Sequence, residues 1–475
     1  MVNNLRGKCS GGTNIMTIRI PQQVEYILNK LMEHGYEAYA VGGCVRDVLL
    51  GRTPGDWDIT TSAKPYQVKE LFRRTIDTGI EHGTVTIMLE KQGYEVTTYR
   101  IDGEYLDSRH PSNVEFTDKL SEDLRRRDFT INAMAYNSIT GIVDLYDGLS
   151  DLQKGIIRCV GNPEHRFDED ALRIMRAVRF AAQLGFIIDE ETKNAIRVKV
   201  EHLKMISAER IRAELSKLIM APNPELIYLA YELGITQIAL PEFDMMLKTK
   251  QNNPHHSYNV GEHSIVALRH IIEYKSAAQE EQLFLDSKHY EIMCYAALLH
   301  DVGKPLCKST DNNGIDHFHG HSQKSLEISQ EILKRLKCDN YMISMVGKLV
   351  KYHDMRLQPD MFMVRKATSE LGKDLMPYLF LLQEADIYAQ NPDTHQEKLQ
   401  KLFAVKQCYI KICEDGDCVN IKELAINGDD LIKMGFKPGK GLGEVLNGLL
   451  NEVIAHPDWN TKENLIMLSQ TKLEH

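Results

Sequence analysis

The sequence predicts an α+β domain followed by an all-helical remainder, and three observations carry that reading. Near the N-terminus a short apolar stretch, Ala38 to Val41, stops at the pair Gly42-Gly43 and leads through an amphipathic run to Asp56-Trp57-Asp58. Two alternating, β-branched stretches then follow, HGTVTIMLE and YEVTTYR, joined by a Gly-containing turn. From residue 161 onward apolar residues recur almost only at helical spacing.

Residues 17–35 predict the first helix, because Val24, Ile27, Leu28 and Leu31 recur three and four apart with Pro21 early. Ala38 to Val41 is a strand, Val45 to Leu50 an amphipathic run, and Trp57 to Thr60 a second strand; residues 65–75 form a short helix. The stretch 101–114 is polar and carries Gly and Pro, the composition of a loop. Glu122 to Arg126 then reads as helix and TINAMA as buried structure, ending the α+β part near residue 160. In FDEDALRIMRAVRFAAQLGF, apolar residues at 172, 174, 175, 178 and 182 predict one helix with Asp168 as its N-cap. Residues 395–420 read as helix into loop, and the segment from Ile426 to Val453 as helix, Gly/Lys-rich turn and helix.

A chain of 475 residues accommodates about three domains and a substantial core. With 43% hydrophobic and 26% charged residues the composition is that of a soluble protein, and no apolar run approaches the ~18 residues a membrane span needs. The first residues, MVNNLRGKCSGGTN, lack the apolar core of a secretory signal; a polar tail, or translation from Met16, is expected instead. The net charge of −10 argues against indiscriminate nucleic-acid binding, while arginines at 125–127, 173, 176 and 179 leave room for a local basic surface. The nine cysteines are scattered, and Cys408, Cys413 and Cys418 lack zinc-ribbon spacing, so reduced thiols of a cytosolic protein are expected.

On a strand, residues two apart share a face, so Asp56 and Asp58 point the same way and need a cation between them. Mg²⁺ suits that role, since it is hard and completes its shell with substrate phosphates. Gly42 and Gly43 let backbone N–H groups approach a triphosphate, and Arg46 adds a charged contact.

These residues, GG-x-VRD…D-W-D, resemble the nucleotidyltransferase head of the DNA polymerase β superfamily. More narrowly they resemble the class II tRNA nucleotidyltransferases (CCA-adding enzymes) and bacterial poly(A) polymerases. The resemblance implies a head with a mixed or antiparallel sheet, followed by a helical neck. Glu95 would be the third catalytic carboxylate beside Asp56 and Asp58. RRDFTINAM matches a family motif in which Arg127 and Asp128 meet nucleotide phosphate and sugar. Arg109, with His110, falls where the family has a flexible loop needed for the final adenosine. EDALR, Glu169 to Arg173, matches the motif that reads the incoming base, with Arg176 and Arg179 as its accessory arginines. Asp170 would accept from the exocyclic amino group of cytosine or adenine while Arg173 donates to the ring nitrogen; uracil and guanine fail both contacts. ISAERIRAELSKLI resembles a further helix that supports the neck.

A second constellation lies between residues 251 and 390: His263, His300-Asp301, His317, His319 and His321, His353-Asp354 and Asp386. Adjacent His and Asp share one direction on a helix only where the turn is irregular; together they offer nitrogen and oxygen to a transition metal. The order resembles the HD phosphohydrolase domain that some CCA-adding enzymes carry. The resemblance assigns His263, His300, Asp301 and Asp386 as core ligands, with His321 and His353 as the extra ligands of two-metal members. Mn, Ni, Co or Fe would suit them. Lys437 and Lys440, set among glycines at 435, 439, 441 and 443, are expected to hold an RNA phosphate.

The expected organisation is therefore a nucleotidyltransferase head over 17–160, a neck over 161–240, an HD metal-binding domain over 250–395 and a tRNA-contacting tail over 396–475. The expected activity is CCA addition to tRNA from CTP and ATP with release of pyrophosphate, in the cytoplasm. Poly(A) polymerase, a CC- or A-adding enzyme, and an HD phosphohydrolase with a degenerate head are the alternatives.

Overall fold

Helix α1 (Gln22–Glu33) buries Val24, Ile27, Leu28 and Leu31, the stripe its spacing predicts, and packs on strand β1 (Ala38–Val41). The computed structural model describes residues 18–103, 114–253, 257–277 and 283–471, and the chain divides into two units, Met1–Ala239 and Leu240–His475.

In the first unit, helix α2 (Gly43–Leu49) leaves β1, and β2 (Ile59–Thr61) returns antiparallel to it. After α3 (Pro65–Leu71) come β3 (Thr75–Gly79), β4 (Thr84–Leu89) and β5 (Gln92–Thr98). A separate pair, β6 (Arg100–Asp102) and β7 (Val114–Phe116), precedes α4 (Leu120–Arg125), β8 (Met134–Asn137), β9 (Gly141–Asp144) and α5 (Gly148–Lys154). Seven strands form one mixed sheet in the order β3-β4-β5-β2-β1-β8-β9, with β2 and β5 its parallel pair. The helical part of this unit contains α6 (Pro163–Glu169), α7 (Leu172–Leu184), α8 (Glu190–Lys199), α9 (Ala208–Ile219), α10 (Ile227–Glu232) and α11 (Thr236–Ala239). A two-residue parallel pair, β10 (Ile156–Ile157) with β11 (Ile187–Ile188), interrupts the helices.

Three expectations need correction. The helix over 65–75 ends at Leu71, because Thr75 and Ile76 pair with Ile87 and Thr86 as an edge strand. The strand over 57–60 starts at Ile59: the four-residue β1 reaches Asp58 only through Val41 N–H donating to its carbonyl (2.9 Å). The single helix capped by Asp168 is two helices. Asn162 caps α6 by accepting from His165 N–H, so Asp168 lies inside that helix, and the chain breaks at Asp170, which is extended (φ −143°). Asp170 Oδ1 accepts from Leu172 N–H at 3.1 Å and so opens α7. Asp170 and Arg173, three apart, therefore do not lie on one face of a single helix.

The second unit is helical. It contains α12 (Pro241–Lys248), α13 (Val260–Ala277), α14 (Ser287–Leu299), α15 (Lys304–Cys307), a hairpin of β12 (Ser309–Thr310) and β13 (Asp316–His317), and α16 (His321–Arg335). Helices α17 (Asn340–Tyr352), α18 (Met361–Leu371), α19 (Met376–Tyr388) and α20 (His395–Glu414) follow, then α21 (Gly428–Lys433), α22 (Lys440–Ala455) and α23 (Lys462–Thr471). Helices α13, α14, α17 and α19 pack on one another around Cys294, Ala296, Ala297 and Leu298, all fully buried. The tail closes its own core with Leu431, Leu449, Val453 and Leu465. Among the described residues no helix is long and apolar enough to cross a membrane.

Candidate active site and metal centre

The extended chain entering β2 presents Asp56 and Asp58, both exposed. Burial among neighbouring atoms raises the Asp58 carboxyl, Arg127 pulls it back down, and the charge of Asp56 raises it further. Two carboxylates close enough to repel, facing a guanidinium, are suited to a divalent cation with an anionic substrate. On β5, exposed Glu95 precedes Val96, the partner of Ile59 in the β2–β5 register, and Asp58 precedes Ile59.

Gly42 explains how the loop opens toward these groups. It sits at φ +85°, which favours glycine, and a Cβ there would lie 3.0 Å from Arg127 Nη1. Arg127 and Arg126 are aimed from below by Asp123, which is fully buried: Arg126 Nη2 donates to its Oδ1 at 2.7 Å and Arg127 Nη2 reaches Oδ2 at 3.4 Å. Thr60 Oγ1 donates to the same Oδ2 at 3.0 Å. Burial alone would raise the Asp123 carboxyl, but Arg126 and Arg127 hold it below its ordinary value.

Arg46, Arg176 and Arg179 are tied into a partly buried polar network. Arg46 Nη1 donates to Asn132 Oδ1 (2.6 Å), Asn132 Nδ2 donates to Asp128 Oδ1 (3.1 Å), and Arg176 donates to Asp128 Oδ2. Arg179 Nε donates to Glu214 Oε2 on α9 at 2.9 Å. Phe180 carries three guanidiniums on its ring, Arg179 at 3.7 Å, Arg46 at 5.0 Å and Arg176 at 5.3 Å from the centroid. Of the arginines from which a local basic surface is expected, Arg173 and Arg179 are 9% and 7% exposed and pair with Glu169 and Glu214, whereas Arg125 is exposed and Arg126, Arg127 and Arg176 are half-buried.

Around the motif expected to read the base, Asp170 Oδ2 accepts from Arg210 Nη2 at 2.8 Å. Arg173 instead pairs with Glu169 at 2.5 Å and donates to the carbonyls of Arg166 and Arg126 at 3.1 and 2.8 Å. Asp123, Asn132, Phe180, Arg210 and Glu214 went unnoticed in the sequence. A signal existed for two: Asp123 lies three and four residues before Arg126 and Arg127, and Glu214 is a charged residue on the buried face of an otherwise amphipathic helix.

In the second unit the predicted ligands converge. The Nε2 atoms of His263 and His300 are 3.1 Å apart and lie 3.4 and 3.3 Å from Asp301 Oδ2; Asp386 Oδ1 is 2.9 Å from His263 Nε2. On the other side, His321 and His353 Nε2 are 3.3 Å apart and 3.4 and 3.5 Å from Asp301 Oδ1. Asp301 is therefore shared between two donor groups, His263-His300-Asp301 and Asp301-His321-His353. Helix α14 ends at Leu299, and the turn that follows lets His300 and Asp301 face the same way.

All four rings fit a metal by tautomer. Each Nδ1 sits on a backbone carbonyl, which only accepts: Ala389 for His263, Ala297 for His300, Phe318 for His321 and Val350 for His353, at 2.6–3.0 Å. Nδ1–H is thereby fixed, and every Nε2 lone pair is turned to the shared centre. Both Asp301 oxygens are buried without a hydrogen bond of good geometry, although Lys304 Nζ is 2.7 Å from Oδ2. Imidazole lone pairs facing one another across a buried carboxylate repel unless a cation lies among them. Of the remaining predicted residues, Lys437 lies in the turn before α22, Lys440 begins that helix, and Arg109 is outside the described residues.

Sheet, glycine turn and paired aspartates define a nucleotidyltransferase of the poly(A) polymerase head type, and the comparisons agree. The model of the poly A polymerase head domain matches residues 38–158; that of a probable RNA and SrmB-binding site of polymerase A matches 185–247. A putative tRNA nucleotidyltransferase domain 2 model matches 320–468. The CCA-adding enzyme of Ligilactobacillus salivarius is 37% identical over 94% of this chain and 96% of its own length; that of Limosilactobacillus reuteri is 38% identical over 90% and 91%. The crystal structure of the Bacillus stearothermophilus CCA-adding enzyme in complex with CTP superposes with a TM-score of 0.69, at 28% identity over 95% of this chain and 98% of that one. The chain belongs to the CCA-adding enzyme family, whose nucleotidyltransferases use a divalent metal.

Proposed function

We propose that the chain completes tRNA 3′ ends by adding C, C and A from CTP and ATP. The observation that carries this reading is the grouping of Asp56, Asp58 and Arg127 beneath the Gly42 turn. The kinship with an enzyme solved with CTP and the match to a tRNA nucleotidyltransferase domain supply the substrates.

Asp56 and Asp58, together with Glu95, would hold Mg²⁺, which when bound supplies charge neutralisation to the leaving pyrophosphate and acidity to the attacking 3′-hydroxyl. Gly42 and Gly43 offer close backbone approach to the triphosphate, while Arg46 and Arg127 neutralise it from the side. Asp128 keeps Arg46 in place through Asn132 and Asp123 keeps Arg127, while Arg176 pairs with Asp128 and Arg179 with Glu214. Asp170 and Arg173 select cytosine and adenine by the donor–acceptor edge the two bases share. Because Asp170 is already clamped by Arg210, its geometry is set before the nucleotide arrives. Lys437 and Lys440 would grip tRNA backbone, and recognition of the acceptor end rests on shape rather than sequence.

The test is incorporation into a tRNA transcript lacking its 3′ CCA. CTP alone should add two residues, and a third should appear only with ATP. Long adenosine tails from ATP alone would instead identify a poly(A) polymerase.

A second reading concerns the His/Asp centre, which we propose holds one or two divalent transition-metal ions in support of phosphoester hydrolysis. The four carbonyl-fixed imidazoles favour it. Manganese, iron, cobalt and nickel suit this mixture of imidazole and carboxylate donors, and metal analysis of the purified chain against His300→Ala tests it.

A further inference from the structure

Asp123, on α4, is fully buried and tied to two parts of the nucleotide site at once. Its Oδ1 accepts from Arg126 Nε at 3.0 Å and Nη2 at 2.7 Å, and its Oδ2 accepts from Thr60 Oγ1 at 3.0 Å. Thr60 stands two residues beyond Asp58 and pairs with Thr97, itself two residues beyond Glu95. The same Thr60 hydroxyl lies 3.3 Å from the Thr97 carbonyl. The buried carboxylate is therefore fixed against the two strands that carry the candidate metal-binding residues.

Arg127 is held more loosely. Among the described residues, the hydrogen bond that holds it runs from Nη2 to Asp123 Oδ2 at a long 3.4 Å, and its Nε is buried without a partner. Its charge acts on the Asp58 carboxylate as well as on Asp123. One guanidinium thus stands between two carboxylates, one buried and anchored, the other exposed. A guanidinium that closed on Asp58 would form a charged fork over the oxygens a cation needs. Mg²⁺ binds through one or two carboxylates and gives up its own water reluctantly, so it is sensitive to such a competitor.

We infer that Asp123 is a positioning residue whose charge holds Arg127 back from Asp58, leaving the Asp56–Asp58 pair open to Mg²⁺ and the guanidinium turned to the triphosphate. The inference rests on the nucleotidyltransferase reading and deepens it, because it gives a buried carboxylate outside the metal-binding pair control over metal access. Asp123→Asn keeps the shape and removes the charge, so Arg127 would pair with Asp58 instead.

The experiment uses the full chain carrying W459F, which leaves Trp57, between the two aspartates, as the reporter among the two tryptophans of the sequence. Mg²⁺ is titrated without nucleotide and followed by Trp57 fluorescence, with Asp56→Ala/Asp58→Ala as the blank. D123N should raise the Mg²⁺ midpoint at least about fivefold, the weight of one partly exposed ion pair that the cation must break. In an R127M background D123N should no longer move it, since the competitor is gone. CTP incorporation by D123N should recover as Mg²⁺ is raised, which a merely structural loss would not do. Where D123N unfolds too readily to titrate, Thr60→Val, which frees only Oδ2, should raise the midpoint in the same direction by a smaller factor. An unchanged midpoint in the folded variant, or an equal rise with and without Arg127, overturns the role of Asp123 and leaves the metal reading standing. A Trp57 signal in the parent chain no different from the blank, with no Mg²⁺-dependent incorporation, overturns both.

Discussion

Arg176 donates both Nε and Nη2 to one oxygen of Asp128, at 2.8 and 2.5 Å, across 48 residues of sequence. The contact joins the turn after α4 to helix α7, and Asp128 passes it on through Asn132 to Arg46. Burial by itself would raise the Asp128 carboxyl; Arg176 and the Asn132 amide reverse this and hold it well below the ordinary carboxylate range. One carboxylate thus sets the position of Arg46, which we propose faces the triphosphate, and of Arg176, beside the proposed base-reading motif.

Asp128→Asn should therefore lower stability and nucleotide affinity together. Loss of a charged hydrogen-bonded pair costs about 2 kcal/mol, visible in urea unfolding, and the KM for CTP should rise. The pH dependence has a defined sign. A carboxyl depressed on folding stabilises the fold above its unfolded pKa, and the stabilisation fades as pH falls below about 4. Wild type should lose this contribution in acid, and the variant should have none to lose.

Asp58 behaves oppositely. Its carboxyl is raised by burial and by Asp56 against the pull of Arg127, so its ionised form is disfavoured by the metal-free fold at neutral pH. The effect is damped because the residue is exposed. Asp58→Asn is expected to raise the Tm slightly in EDTA while reducing nucleotide incorporation by at least about 100-fold. A lowered Tm in EDTA would show that Asp58 serves the fold and not the site.

The sequence was informative wherever local pattern decided the structure. The β1–glycine–α2 unit, the D-x-D segment and the four histidines that converge on Asp301, His263, His300, His321 and His353, were legible, because strand alternation, glycine turns and ligand-type residues act over short spans. The misreadings came where a distant partner decided. Asp170 ends one helix and opens another because its side chain serves Leu172 N–H and Arg210, 40 residues away. Residues 75–79 became strand because β4 offered an edge. The arginines that suggested a basic surface are mostly paired with Asp123, Asp128 and Glu214, none of which is marked by periodicity. Phe180, beneath three guanidiniums, is indistinguishable in sequence from any core aromatic.

Base choice provides a sharper test. Asp170 Oδ2 holds Arg210 while Arg173 is turned to Glu169, so the two readers are positioned by separate partners. Asp170→Ala should reduce the preference for CTP over UTP by about 10- to 100-fold, the value of one bidentate base contact. Arg210→Ala should reduce it less, since it frees Asp170 without removing it. Measured kcat/KM ratios for the four nucleotides check both, and equal losses for all four would make Asp170 a structural residue.

The metal centre makes its own prediction about pH. Burial would lower the His300 pKa, but Asp301 and Asp386 overcome it and, without metal, lift it to about 10. A histidine raised on folding stabilises the fold below its unfolded value near 6.5, and that stabilisation disappears as pH climbs toward 10. The metal-free chain should therefore lose thermal stability across this interval. With Mn²⁺ bound the same Nε2 must be unprotonated, so the ion competes with the proton and binds more tightly as pH rises. Thermal melts in EDTA and in Mn²⁺ should consequently diverge from pH 6.5 upward, with the gap widening to pH 9. In His300→Ala the EDTA curve should flatten and the divergence shrink. Parallel curves for wild type in both buffers would mean that the facing imidazoles are satisfied by protons alone and that no ion is held there.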